Sequence, residues 1–495
     1  MLDEALAIGH GEDLLGRVQQ SLDAAMGRIS IAPRITFDMA ELSSHVERVG
    51  DLVERRPRDA TVTAGENGFV IQRSVPGQAL RRAETTGTIA RLLGEANAAL
   101  SAAVEATIVT VSPSVDDAAA ERLRQAGERV AGTGLDLELG DERWTIPAST
   151  VRSWLRFPAG VERVPLVSTT DVQEAVAGLR KQVGRPAGNA SFAFRAGRVV
   201  ATGRSRVGRR LDVKASSSEI AAALARKAAG TLAPSAPVEL VTRPVPPALS
   251  SRDAKGLARR MVRLSSWTTP FEPSERNGFG ANIRIPARAI DGTVVLPGET
   301  FNFWDAVGSV TTAKGYRSGG AIINGRTQPS GALGGGICST STTLFNTAAR
   351  AGLEIVSRRA HFYYIDRYPV GLDATVFISS SGAKITLAFR NDTPTPILIR
   401  GSSTRTSVRF DIYGISDGRT VSFSRPIVKN VKQARDLVEK SSSIPSGTRK
   451  RIEYPTDGFD SWVTRRVVDR KGKVIHRETF YSHYGQVDGV TLIGV

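Results

Sequence analysis

One cysteine, Cys338, stands in a chain of 495 residues, and its neighbours are of the types that acyl-transfer chemistry needs. Residues 331–352 read Gly-Ala-Leu-Gly-Gly-Gly-Ile-Cys-Ser-Thr-Ser-Thr-Thr-Leu-Phe-Asn-Thr-Ala-Ala-Arg-Ala-Gly. Consecutive glycines disfavour a helix. Beyond them Ser339 to Ser341 supply capping residues, Leu344, Phe345 and Ala348 recur at helical spacing, and Gly352 falls where a C-terminal cap belongs. The spacing predicts Cys338 at, or just before, a helix N-terminus. The dipole and unpaired amides of a helix start lower a thiol's pKa. The same turn, with Gly335, Gly336, Ser339 and Thr340, could hold an oxyanion or substrate. A cysteine nucleophile needs a base. His361 is the only histidine between residues 46 and 475, and Asp373 lies close enough in sequence to orient it. The competing reading is an inert cysteine packed beside a tight turn, with His361 packed among Phe362, Tyr363 and Tyr364 and Asp373 a turn residue. The residues alone leave both open.

Other chemistries have less to stand on. The five histidines are scattered, no HExxH occurs, and a single cysteine permits neither an intramolecular disulfide nor a thiolate-rich zinc site. No metal and no cofactor is expected. The formal charge of +17 favours polyanions, with anionic wall polymers as candidate partners. Nucleic acid is not expected, because the basic residues are spread along the chain and aromatics make up only 6%. No stretch of eighteen apolar residues is present, and the start Met1-Leu2-Asp3-Glu4 lacks the basic and apolar regions of a signal peptide.

The elements before this segment show an internal repeat. A capped amphipathic helix near Phe37-Asp38, with Leu42, Val46, Val49 and Val53 inward, runs to Arg56-Pro57. Alternating segments at Ala60-Thr61-Val62, Gly68-Phe69-Val70-Ile71 and Gly77-Gln78-Ala79-Leu80 follow, then a helix from about Thr86 and a strand at residues 106–111. About 130 residues on, the order recurs: a helix from Thr170-Asp171, Arg185-Pro186, Ala190-Ser191-Phe192, Gly197-Arg198-Val199-Val200, Gly208-Arg209-Arg210-Leu211, a helix opening at Ser218-Glu219-Ile220, and Pro237 to Val241. Two copies of one module suit binding, where duplication raises avidity. A Pro/Ser-rich stretch from Arg243 reads as linker. The tail alternates in strand fashion, most clearly at Trp462–Val468 and Lys473–Tyr481 around Asp469-Arg470-Lys471-Gly472.

The expected fold is multi-domain α+β. An N-terminal segment (1–27) precedes two duplicated modules (28–138 and 139–245). A linker (246–267), a β-rich domain (268–400) and a β-rich extension with a hairpin (401–495) follow.

Pro297-Gly298-Glu299-Thr300-Phe301-Asn302-Phe303, Gly334-Gly335-Gly336-Ile337-Cys338, Ser341-Thr342-Thr343-Leu344-Phe345-Asn346 and Gly371-Leu372-Asp373-Ala374-Thr375-Val376 resemble the VanW family in order and spacing. The two repeats are similar to the peptidoglycan-binding domain that often precedes it, and the tail from about Gly458 resembles the β extension that often follows. The resemblance implies a cell-wall or cell-surface protein of a Gram-positive-type bacterium, whose membrane anchor would be an N-terminal segment absent from this chain. It implies peptidoglycan stem peptides as partner, and a cysteine L,D-transpeptidase that forms 3-3 cross-links, with Cys338 and His361 at the family's motif positions. The alternative is a non-catalytic peptidoglycan-binding or scaffold protein. Ser339 stands where many members have Gln, and Ala360 where Asn often precedes the histidine, so substrate contacts would differ.

Overall fold

The computed structural model describes residues 2–31, 35–95, 103–157, 164–273, 278–323, 326–379 and 381–495, with the side chains of 321–323 and 326–331 left aside. The chain is multi-domain α+β and divides into two compact units, residues 1–184 with 210–243 and residues 185–209 with 244–495. The division expected at 245/246 is one of sequence modules. The compact units part elsewhere.

The repeat is present element by element. In the first copy helix Met39–Val53 is followed by strands Thr61–Ala64, Phe69–Gln72 and Gly77–Leu80, helix Arg82–Glu95 and strand Ile108–Val111. In the second, helix Thr169–Gly178 and a short turn of helix lead to Ser191–Arg195, Arg198–Thr202 and Gly208–Leu211, helix Val213–Ala228 and strand Thr242–Val245, which takes the place of Ile108–Val111. The closing segment expected at Pro237 to Val241 holds strand Val238–Glu239, paired with Leu135–Leu139 instead. Isolated bridges recur at matching places, Arg55 with Gln78 and Arg58 with Val75, then Arg185 with Arg209 and Gly188 with Arg206. The glycine of each Gly-x-x-Leu turn has a physical reason. A Cβ on Gly77 would lie 2.5 Å from Arg55 O, and one on Gly208 2.5 Å from Arg185 O, so backbone passes too close for any side chain.

Local details differ from expectation. The second helix of each copy starts earlier, at Arg82 and Val213, because Asp212 caps the latter by accepting from the Ala215 amide. Val46 is buried but Val49 is exposed. In the first unit the pair Leu135–Leu139 and Glu142–Ile146, with Val238–Glu239 parallel to its first strand, buries Leu135 and Leu137 completely. Helices Leu2–Ala7 and Leu14–Ala25 bury no residue.

In the second unit, the stretch 246–267 expected as linker is structured. Ser250 caps helix Ser251–Ala258, and strand Val262–Pro270 opens a four-stranded antiparallel sheet with Ser407–Gly414, Ile397–Ser403 and Thr293–Val295. On this sheet lie helices Ala281–Ile290 and Ile337–Arg350. Leu344, Phe345 and Ala348 of the latter are fully buried against Phe410 and Ile412, each large apolar side chain contributing about 1.5–3 kcal/mol.

Every residue of that helix from Ser339 to Ala349 is buried, including seven polar ones. Most of their polar groups find partners: Thr340 Oγ1 donates to Ile283 O at 2.9 Å, Thr342 Oγ1 to Ala374 O at 3.2 Å, Thr347 Oγ1 to Thr343 O at 2.8 Å, and Asn346 Nδ2 to Leu372 O at 2.7 Å. Such pairing offsets the cost of burying them. The extension forms the expected hairpin, Gly458–Val468 with Val474–Tyr484, closed by the Asp469 amide donating to Lys473 O.

Candidate active site

Gly336 starts the Cys338 helix. Its φ of 103° belongs to the left-handed region, and no side chain caps the end, so Ser339 to Ser341 lie inside the helix rather than at its cap. A Cβ on Gly335 would meet Gly319 C at 2.4 Å, so only glycine fits there too. Asn282 pins the turn, its Nδ2 donating to Gly335 O at 2.9 Å and to Arg317 O at 2.8 Å. Cys338 is thereby the second helical residue, half-buried at the start of the helix.

Its sulfur lies 3.5 Å from Thr375 Oγ1 and 3.4 Å from Val376 O, and the Val376 amide donates to it at 3.5 Å. His361, in a loop after strand Glu354–Ser357, is buried. Its Nδ1 is 2.5 Å from Asp373 Oδ2, and its backbone amide donates to the same oxygen at 2.7 Å. The ring stacks on Tyr368 at a centroid distance of 5.5 Å. The far nitrogen, Nε2, is buried and holds no hydrogen bond within normal geometry, although Cys338 is its electrostatic neighbour. Catalytic contacts of this kind are often loose before substrate arrives.

Asp373 is itself fully engaged. Oδ1 accepts from Arg358 Nη2 at 2.9 Å and from the Tyr484 hydroxyl at 2.6 Å, leaving Oδ2 for His361. Arg358 also reaches the carbonyls of Asp373, Gly371 and Tyr481 and the Ser482 hydroxyl.

These contacts set the charges. Burial pushes the Cys338 thiol up, but the neighbouring His361 imidazole, with Thr375 and the Val376 amide, brings it down to about 7. Burial opposes the imidazolium, and Asp373 and Cys338 outweigh it, raising His361 to about 9. Burial also opposes the Asp373 carboxylate, yet His361, Arg358 and Tyr484 hold it at about 2. The two shifts run in the same sense, towards a thiolate beside an imidazolium, which suits nucleophilic attack on a carbonyl.

Cys338, His361, Gly335 and Gly336 line one cleft of about 2170 Å³, with Phe279, Phe362, Arg367, Thr375, Phe377, Tyr454 and Tyr481 also on its walls. Asp373 stands behind His361. Ser339 and Thr340 do not line the cleft: both are fully buried, the Ser339 hydroxyl 2.9 Å from the Tyr368 hydroxyl and that of Thr340 on the Ile283 carbonyl. The Gly335 amide donates to Ala332 O at 3.3 Å and that of Ser339 to Gly336 O at 3.0 Å.

Sequence reasoning missed Arg358, Tyr368, Thr375 and Tyr484. Thr375 was within reach, two positions past Asp373. Tyr484, more than a hundred residues downstream, carries no local signal. Among the described residues no group of three or more His, Cys, Asp or Glu side chains could hold a metal, and no helix is long and apolar enough to cross a membrane.

Residues 280–413 match the family model described as "VanW like protein", and residues 1–100 and 144–233 match the one described as "Putative peptidoglycan binding domain". The "Uncharacterized protein YoaR" of Bacillus subtilis is 40% identical over 151 residues, covering 30% of this chain and 48% of the relative. The "Vancomycin B-type resistance protein VanW" of Enterococcus faecalis is 32% identical over 137 residues, covering 26% and 47%. The chain thus spans about half the length of the curated relatives it matches. Among solved structures the G5 domain of IgA1 protease is 13% identical over 17% of this chain and 98% of its own, with a TM-score of 0.11.

Proposed function

We propose, for a chain that carries a VanW domain behind two matches to a peptidoglycan-binding domain, that it is a cysteine acyltransferase of the cell wall. The domain matches support a cell-wall or surface location and peptidoglycan as the partner. The observation that carries the enzymatic part is Cys338 and His361 on one cleft wall, with His361 Nδ1 held by Asp373.

The reaction is L,D-transpeptidation. The Cys338 thiolate attacks the carbonyl after the third residue of a stem peptide. The C–N bond breaks, the terminal residue leaves as an amine, and His361 Nε2 gives that amine its proton. The acyl thioester is then attacked by an amine of a neighbouring stem peptide. The new C–N bond forms, the C–S bond breaks, and the proton lost from nitrogen returns to His361. Residues 1–250 hold the chain on the wall, and a membrane anchor belongs to an N-terminal segment.

Intact mass spectrometry after incubation with a tetrapeptide donor tests this. An adduct of the acyl mass on the natural chain, absent from Cys338→Ala, supports it. A natural chain without adduct, over a pH range that ionises the thiol, removes it.

A further inference from the structure

We infer, on the reading just given, that Arg367 is the site's anion reader, binding a carboxylate borne by the acyl donor beside the carbonyl that Cys338 attacks. Arg367 lines the same cleft as the sulfur. Its Nη2 donates to the Tyr368 hydroxyl at 3.1 Å and lies 3.4 Å from the hydroxyl of Ser339, the residue next to Cys338. Its guanidinium lies over the Tyr368 ring at 4.7 Å and over Phe279 at 5.3 Å.

The second observation is what Arg367 lacks. Among the described residues it has no carboxylate partner, and its Nε–H is buried with no acceptor. Arg358, nine residues earlier, shows the contrast, since its fork is spent on Asp373 and on backbone carbonyls. The guanidinium, set near two aromatic rings and hydrogen-bonded only to neutral hydroxyls, lines the cleft without a counter-charge among the described residues. Its remaining donors match the two oxygens of a carboxylate, a pairing stronger than bonds between neutral groups. The Tyr368 ring that carries the guanidinium also stacks on His361, so charge reader and candidate base share one support.

Alkylation of the full chain by iodoacetate and by iodoacetamide tests the assignment, because both attack Cys338 through the same carbon and differ only in the adjacent carboxylate. The iodoacetate-to-iodoacetamide rate ratio should fall about tenfold in Arg367→Gln, be largely kept in Arg367→Lys, and fall in the natural chain as salt rises. Where Arg367→Gln fails to fold, the salt series replaces it, and a ratio that salt leaves unchanged would overturn the anion reader. In a folded Arg367→Gln, a ratio unchanged from that of the natural chain would overturn it whatever salt does, because the +17 charge of the chain also draws iodoacetate, and would leave the nucleophile standing. Slow alkylation by both reagents at neutral pH would overturn the nucleophile, and this inference with it.

Discussion

The Tyr484 hydroxyl donates to Asp373 Oδ1 across 2.6 Å, joining the last long strand of the extension to the carboxylate that holds His361. The same hydroxyl accepts from the Gly371 amide at 3.1 Å, so it fixes the loop as well as the carboxylate. Both groups are buried, which strengthens the bond and raises the cost of losing it.

Tyr484→Phe should therefore destabilise the second unit by about 1.5–3 kcal/mol, the usual range for a hydrogen bond to a charged group. The chain should still fold, because Arg358 remains on the same oxygen. A lower denaturant midpoint with an unchanged slope is the expected result. An unchanged midpoint would mean that the hydroxyl carries no load.

Alkylation of Cys338 should rise with pH through a midpoint near 7, where the thiol is placed by its neighbours. Loss of the imidazolium in His361→Gln removes the largest lowering influence and leaves burial, which raises. The midpoint should then move up, to or beyond the ordinary thiol value of about 8.5. A variant that titrates like the natural chain would show that His361 does not set the thiolate.

Asp373→Asn strikes both charge and stability. It leaves the buried Arg358 fork without its counter-charge, at a cost of about 3–5 kcal/mol. The pH dependence has a definite sign. The Asp373 carboxyl is lowered in the fold from its ordinary value, so its stabilisation is complete above about pH 4 and is lost as pH falls towards 2. Over that window the natural chain should lose stability faster than Asp373→Asn. Parallel curves in acid would contradict the assignment.

Much of this was legible in sequence, and the reasons are local. Cys338 at a helix start followed from glycines that cannot be helical and from Leu344, Phe345 and Ala348 at helical spacing. The repeat was legible because Gly77 and Gly208 answer a steric demand that sequence must meet. The roles of Ser339 and Thr340 were not, since nothing local tells a hydroxyl facing a cleft from one returned to a carbonyl. The stretch 246–267 looked like linker for its prolines, yet Ser250 and the pairing of Val262–Pro270 order it. Tyr484 was illegible because only strand pairing over more than a hundred residues brings it to Asp373.

Arg465 offers the last test, and it concerns the other end of the Cys338 helix. This side chain is wholly buried, yet it is an arginine in the middle of a hairpin strand. Its Nη1 donates to Ala349 O at 2.9 Å and its Nη2 to Leu353 O at 2.9 Å, with Glu478 of the paired strand as counter-charge. The cation thus gives a further donor to Ala349 O in the last turn of the helix and one to Leu353 O just beyond it, where the helix dipole also favours positive charge. Arg465→Ala should cost about 3–5 kcal/mol, because Ala349 O and Leu353 O each lose a charged donor and Glu478 its partner. Arg465→Met with Glu478→Leu should cost less than Arg465→Ala alone, since no unpaired charge remains. Chemical denaturation of the two variants decides it. Should the double variant prove the weaker, the Glu478 charge left unpaired is not what makes the loss of Arg465 costly.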